Sequence, residues 1–238
     1  MIEVVTETGS TNATLAARIA GGEPVSEGRW LVADRQTQGR GRQGRAWSDG
    51  AGNFMGSTVA ALRGGDPPPH TLSLVAGVAL FAAVEAVAPG IEGLELKWPN
   101  DLLLQDAKLA GILLERIGDS VIVGVGVNLR TAPDVPGRAV ASLQGAGYAV
   151  GRDTFAQAVD ASWERCLDLW HGGGWNALRQ EWVVRAHRIG TALSVHGADG
   201  EPVRGTFAGV NSEGALQLDL GGSTTRTIHA GEVVLDRR

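Results

Sequence analysis

Leu94-Glu-Leu-Lys97-Trp-Pro-Asn-Asp101-Leu-Leu-Leu104-Gln-Asp-Ala-Lys108-Leu-Ala-Gly111-Ile-Leu-Leu-Glu-Arg116-Ile-Gly-Asp-Ser120-Val-Ile-Val-Gly124-Val-Gly126-Val-Asn128 decides the fold class. Leu94, Leu96 and Trp98 alternate with polar residues and Pro99 ends the run, which predicts a strand. Residues 102–104, 108–116 and 120–128 predict three more, parted by turns at 105–107 and 118–119. Strands joined this tightly pair antiparallel, because a parallel crossover needs roughly a dozen residues or more.

Toward the N-terminus, a strong helix over about 71–88 ends at Pro89-Gly90. Phe54 to Leu62, Trp30 to Ala33 and Glu3 to Thr6 read as strands, and 35–53 as a loop rich in Gly and Arg. Ser10-Thr11-Asn12 reads as a helix start, with Leu15 and Ile19 at helical spacing and Gly21-Gly22 closing it. Toward the C-terminus, 153–187 is helical and carries four of the seven tryptophans, in the pairs 163/170 and 175/182. A spacing of seven stacks each pair on one helix face, which indicates core packing. From about Gly190 the pattern changes to five short strands, 192–196, 203–210, 215–220, 225–229 and 232–235, the signature of a small β-barrel. The expected fold is therefore α+β: a mixed, largely antiparallel sheet flanked by helices over 1–187, then a small barrel over 188–238.

The net charge of −5 argues against a general nucleic-acid surface. The first ten residues lack the basic and apolar regions of a signal peptide. The most apolar stretch, Leu72 to Val84, contains Ser73 and is too short to span a bilayer. The single cysteine, Cys166, excludes an internal disulfide, fits a reducing cytoplasm and reads as a core residue. His70, His171, His187, His196 and His229 show no metal-ligand spacing, so no metal site is expected.

Basic residues are distributed unusually. The chain has two lysines, Lys97 and Lys108, against nineteen arginines. Where arginine has replaced lysine almost everywhere, the two exceptions suggest positions that need a compact ammonium to meet a single oxygen. Gln36-Thr-Gln-Gly39-Arg40-Gly41-Arg42-Gln-Gly44-Arg45-Ala-Trp47 contains Gly-x-Gly-x-x-Gly, but a dinucleotide fingerprint needs a helix at the third glycine and a parallel βαβ unit, and neither follows. Arg40, Arg42 and Arg45 among glycines fit either an anion with several oxygens or a solvated turn. Asn100 and Asp101 beside Lys97 read either as a site or as an Asx turn with a surface ion pair. Gly111 admits close approach of a ligand or another backbone, and Gly124-Val-Gly-Val-Asn128 reads by itself as a bulged strand.

Taken together, and in this order, Ser10-Thr11-Asn12, Gly39 to Trp47, Lys97-Trp-Pro-Asn-Asp101-Leu, Lys108-Leu-Ala-Gly-Ile-Leu113, Gly124-Val-Gly-Val-Asn128 and Gly231-Glu-Val-Val-Leu235 closely resemble the biotin–protein ligase family. The resemblance covers nearly the whole chain. It implies a class II synthetase-like catalytic domain with an SH3-like C-terminal barrel, in the single-function form that lacks an N-terminal DNA-binding segment. It also implies ATP and biotin as substrates, Mg2+ accompanying ATP, and a biotin carboxyl carrier domain as acceptor. A cytoplasmic protein with no DNA or membrane partner, monomeric or weakly dimeric, is expected. The resemblance implies two steps: biotin's carboxylate attacks the α-phosphorus of ATP to give biotinyl-5′-AMP and pyrophosphate, and the acceptor lysine then displaces AMP.

The resemblance assigns Lys108 to the biotin carboxylate and the attacked phosphate, and Arg42 and Arg45 to the phosphates. Lys97, Asn100, Trp47 and Asn128 fall on the ATP side. Ser10, Thr11, Asn12, Gln36, Gly39, Arg40, Gly41, Arg42, Trp47, Lys108, Gly111, Ile112 and Gly124 fall around biotin. Asp101 is the candidate to accept or orient the acceptor lysine's proton, because a protonated amine is no nucleophile. The glycine loop is expected to move and to close over a reactive adenylate. The competing readings are a lipoate–protein ligase-like enzyme and a non-catalytic biotin-binding sensor.

Overall fold

Alternation of side chains across one sheet organises the molecule. The computed structural model describes residues 1–48, 50–196 and 201–236. Strands β1 (Ile2–Thr8), β2 (Trp30–Gln36), β3 (Phe54–Ala61), β4 (Leu94–Lys97), β5 (Asp101–Leu104), β6 (Ala107–Ile117) and β7 (Ser120–Val127) form one sheet in the order β1-β2-β3-β7-β6-β5-β4. Only β1 and β2 run parallel, joined through helix α1 (Thr11–Ala20), and every other neighbouring pair is antiparallel. This is the mixed, largely antiparallel sheet that the meander predicts.

On one face, Trp30, Val32, Phe54, Leu96, Leu102, Val121, Val123, Val125 and Val127 pack beneath helices α2 (Leu72–Val87), α3 (Arg152–His171) and α4 (Trp175–Arg185) in the main core. Leu31, Val59 and Ile122 alternate to the other face and meet Leu15 of α1 in a smaller cluster. Strands are period-two objects, so this alternation also fixes where the polar residues go. Lys97, Asp101, Ser57, Gly111, Gly124 and Gly126 lie on the α1 face.

Helix α2 is apolar on nearly every side, as its position between sheet and helices requires. With the 3-10 turn that precedes it, the helical segment Pro69–Val87 is 19 residues long, longer than the apolar stretch singled out in the sequence, and 67% of its apolar window is buried inside the molecule. That is the packing of a core helix.

The region 153–187 is interrupted. Gly172–Gly174 end α3, and α4 starts at Trp175. Gly173 takes φ +82, a backbone state that glycine reaches freely and other residues disfavour. Both tryptophan pairs are nevertheless buried, with Trp163, Trp170, Trp175 and Trp182 each at most 9% exposed. Cys166 is fully buried in this core, and burial pushes its thiol up to about 11.

Strands β8 (Ala192–His196), β9 (Val203–Val210), β10 (Leu216–Asp219), β11 (Thr225–Ile228) and β12 (Glu232–Leu235) form a second, antiparallel sheet in the order β11-β10-β9-β8-β12. Its inward residues Leu193, Val195, Phe207, Leu216, Leu218 and Val233 join the main core rather than forming a separate one. The indole nitrogens of Trp98 and Trp175 donate to the carbonyls of Gly214 and Ser212, which ties the turn between β9 and β10 to the end of β4 and to α4.

Candidate active site

The α1 face of the large sheet is hollowed by its glycines. A Cβ at Gly124 would lie 2.2 Å from Asn12 Oδ1, and one at Gly126 would lie 2.3 Å from the Trp47 ring. With side chains missing there, a cavity of about 520 Å³ opens between α1, the glycine-rich loop, the ends of β4–β7 and β12. Ser10, Thr11, Asn12, Gln36, Arg40, Gly41, Arg42, Arg45, Trp47, Lys97, Asn100, Asp101, Lys108, Gly111, Ile112, Gly124 and Asn128 all contribute to its wall. Gly39 does not. It sits at the base of the loop, where a Cβ would come 2.7 Å from the Trp47 carbonyl oxygen.

One end of the cavity carries neutral hydrogen-bonding groups. Ser10 occupies the N-cap position of α1 but makes no side-chain cap, so its hydroxyl is not committed to the helix. The backbone N–H of Thr11, one of the donors that a helix start leaves without an intrahelical partner, goes instead to Gln36 Oε1 at 2.7 Å. Thr11 Oγ1 lies 2.6 Å from Ser57 Oγ, which donates to Asn12 Oδ1 at 2.6 Å. These groups are buried, so their polar atoms must be paired to be tolerated there.

The other end is cationic. Lys108 Nζ donates to Asp101 Oδ1 at 2.6 Å. Asp101 therefore pairs with Lys108, although Lys97 is its register partner across β4–β5. Burial lowers the pKa of Lys97 from the ordinary lysine value, Asp101 opposes that shift, and Lys108 adds to it. Arg42 donates to Asn100 Oδ1 at 3.0 Å, and Asn100 in turn donates to the Ile112 carbonyl at 2.8 Å.

A bulge puts Lys108 in this site. The β5–β6 register shifts between Leu102 and Leu103, so that Leu109 and Ala110 are both buried in the main core. The shift reverses the alternation and brings Lys108 to the same face as Gly111, where a Cβ would meet Lys108 Nζ at 3.1 Å. The backbone freed by the bulge is taken up by residues 139–141: Lys108 N–H donates to the Ala139 carbonyl and Ala141 N–H to the Lys108 carbonyl. Asn128 is buried and its amide donates to the Ala141 carbonyl at 3.1 Å, so that nitrogen supports the Lys108 backbone.

The glycine-rich loop is a closed hairpin. Trp47 N–H bonds the Gly39 carbonyl, Gly41 N–H bonds the Arg45 carbonyl, and a 3-10 turn at Arg42–Gly44 forms the tip. The Trp47 ring lies over the glycine floor with Lys108 Nζ 5.8 Å from its centroid. Arg45 turns away to Glu232 of β12, and Arg138 reaches the same carboxylate.

Sequence reasoning did not find Glu232, Arg138, Ser57 or the 139–141 strap. Ser57 carried a signal, as a hydroxyl two residues before Val59 and so on the same α1-facing side of β3. Among the described residues there is no group of three His, Cys, Asp or Glu placed to hold a metal ion. Asp101 and Glu232, the two carboxylates among the described residues that line the cavity, already face cations.

Residues 7–130 match the biotin/lipoate A/B protein ligase family, and 194–236 match the biotin protein ligase C terminal domain. The chain is 38% identical to the biotin–[acetyl-CoA-carboxylase] ligase of Paracoccus denitrificans over 97% of this chain and 98% of that one. It is 37% identical to the enzyme of the same name from Mycobacterium tuberculosis, over 98% of this chain and 88% of that one. The fold superposes on the biotin protein ligase from Aquifex aeolicus in complex with biotin and ATP with a TM-score of 0.84 at 26% identity, covering 100% of this chain and 99% of that one. Since the family match spans the cavity floor, the glycine hairpin and both lysines, and both relatives align over most of their length, this chain belongs to the biotin/lipoate A/B protein ligase family.

Proposed function

We propose that this protein is a biotin–protein ligase that activates biotin with ATP and transfers it to a lysine of the biotin carboxyl carrier domain of an acyl-CoA carboxylase. The observation that carries this reading is a cavity with two chemically different ends. A urea-bearing bicycle needs a few fixed donors and acceptors at one end of an apolar pocket, and Ser10, Thr11, Asn12 and Gln36 supply that end. A carboxylate meeting a polyphosphate needs fixed cations, and Arg42, Lys97 and Lys108 supply the other.

In the first step, two anions are brought together. Lys108 is the cation that touches both the biotin carboxylate and the attacked phosphate, because it is central and held against Asp101 and Trp47. Arg42 faces the phosphates, and Lys97 and Asn100 lie on the nucleotide side. Arg45 joins the phosphates once it leaves Glu232. Magnesium, carried in on the ATP phosphates, neutralises part of their charge. In the second step the acceptor lysine must lose a proton as it attacks the acyl carbonyl and AMP leaves with the electron pair of the broken acyl–phosphate bond. Asp101 accepts or orients that proton. Residues 1–187 form the catalytic unit and 188–238 a small domain that contributes Glu232 to the cavity wall. The names of the relatives support the carboxylase acceptor.

Transfer of labelled biotin to a carrier domain, run beside lipoate as the competing acid, tests the proposal. Labelling of the carrier lysine with biotin and not lipoate is the expected result. Preferential transfer of lipoate, or binding of biotin with no pyrophosphate release, would overturn it in favour of a lipoate ligase or a sensor.

A further inference from the structure

A chain of hydrogen bonds runs from the buried end of the cavity out to a carboxylate on β6. Asn12 Nδ2 donates to Glu115 Oε2 at 2.6 Å, Ser57 Oγ to Asn12 Oδ1 at 2.6 Å, Thr11 Oγ1 lies 2.6 Å from Ser57 Oγ, and Gln36 Oε1 accepts from the Thr11 N–H at 2.7 Å. Glu115 does not line the cavity and lies on the exposed part of its strand.

The direction of every bond in this chain follows from its outer end. A carboxylate only accepts, so the Asn12 group facing Glu115 must be the NH2 and its oxygen must face inward. Ser57 has one hydroxyl proton and spends it on that oxygen. Ser57 Oγ therefore accepts from Thr11, whose own single proton goes outward at 2.6 Å rather than to Gln36 at 3.1 Å. Thr11 Oγ1 is left with lone pairs for an incoming donor, and so is Asn12 Oδ1, which stands over the floor at Gly124. Gln36, its oxygen held by the Thr11 N–H, keeps its NH2 as a donor. Two acceptors and a donor are the complement of a cyclic urea, which offers two N–H groups and one carbonyl.

We propose that Glu115 is a positioning residue that sets the donor and acceptor polarity of the biotin head-group site through Asn12, Ser57 and Thr11. The inference rests on the biotin reading given above. Without Glu115 the Asn12 amide is free to turn over. Its NH2 then faces Ser57, both hydroxyl protons reverse, and the site presents a donor where a urea N–H needs an acceptor. A network of this kind acts through its ends, so losing one polar partner affects a group two side chains away.

The test compares wild type, Glu115→Ala and Glu115→Gln by calorimetric biotin binding and by pyrophosphate release with biotin and ATP varied separately. Glu115→Ala should weaken biotin binding about tenfold and raise KM for biotin to match, with kcat and KM for ATP within about twofold, the loss expected for one disrupted polar pair. Glu115→Gln keeps an acceptor oxygen and should restore most of the affinity. Unchanged biotin affinity in Glu115→Ala overturns the inference. So does a fall in kcat with equal rises in both KM values and no rescue by Gln, the pattern of local unfolding. Wild-type protein that binds biotin without releasing pyrophosphate defeats the ligase reading alone, since the binding comparison still decides the role of Glu115. Wild-type protein that binds no biotin defeats both.

Discussion

The Arg45 guanidinium donates to the Glu232 carboxylate at 2.5 Å, joining residues 187 positions apart across the two sheets. Arg138 reaches the same carboxylate from the 131–140 segment, so one glutamate ties the glycine hairpin and a second loop to β12. The Arg45 hydrogen bond holds the Glu232 carboxyl below the ordinary carboxylate value, with Arg138 contributing. A lowered carboxyl pKa contributes stability above the unfolded value, and that contribution is lost as pH falls through the folded one. The tie is therefore complete at neutral pH and fades only in acid. Glu232→Gln should make the 39–47 hairpin several-fold more sensitive to limited proteolysis at pH 7, and biotinyl-AMP should protect it in both proteins. Equal cleavage rates with and without the adenylate would count against loop closure.

Lys108→Arg retains the charge but replaces a compact ammonium, seated 2.6 Å from Asp101, with a planar fork. Loss of pyrophosphate release by at least about a hundredfold is expected, comparable to removing one preorganised donor. Near-normal adenylation would refute the role assigned to Lys108.

Lys97 illustrates a conflict between stability and function. Burial lowers its pKa, so the folded protein binds fewer protons than the unfolded chain between that lowered value and the ordinary value of 10.5. Stability rises with pH across that window, and below it the cost of burying the charge is fully present. Lys97→Met should raise Tm at pH 7, by about 2–4 °C for each ~1 kcal/mol relieved, while raising KM for ATP. A lower Tm, measured by calorimetry, would show that the ammonium is stabilised in place.

Two glycines two residues apart should fail in different ways. Gly124→Ala drives a Cβ into Asn12 Oδ1 and should act on biotin affinity. Gly126→Ala drives one into the Trp47 ring and should act on the hairpin and on ATP. Overpacking of this kind costs about 1–3 kcal/mol. Parallel effects of both substitutions on both KM values would contradict the division of the cavity into two ends.

The sheet was legible because its strands are local: alternation in Leu94–Trp98 and short turns at 105–107 and 118–119 are written within a few residues. The candidate site residues came from motif resemblance, and the structure gathers all but Gly39 around one cavity. What escaped the sequence is non-local or antiperiodic. The bulge at Leu109 breaks the alternation that would have placed Lys108 on the wrong face. Residues 139–141 have no period of their own, because their hydrogen bonds go to the backbone of Lys108. Glu232 looks like any strand-start glutamate until β12 is set beside the glycine hairpin. The break at Gly172–Gly174 was readable from three consecutive glycines, yet helical spacing on either side concealed it.

The placement of Trp47 has a spectroscopic consequence. The other six tryptophans, Trp30, Trp98, Trp163, Trp170, Trp175 and Trp182, are all buried, whereas Trp47 is partly exposed over the glycine floor of the cavity. Five indoles away from the cavity thus give an emission background, and Trp47, with Trp98 also in the cavity wall, reports. The protein carries its own fluorophore at the junction of hairpin, lysine and glycine floor, and occupancy of the cavity can be followed in real time without a label.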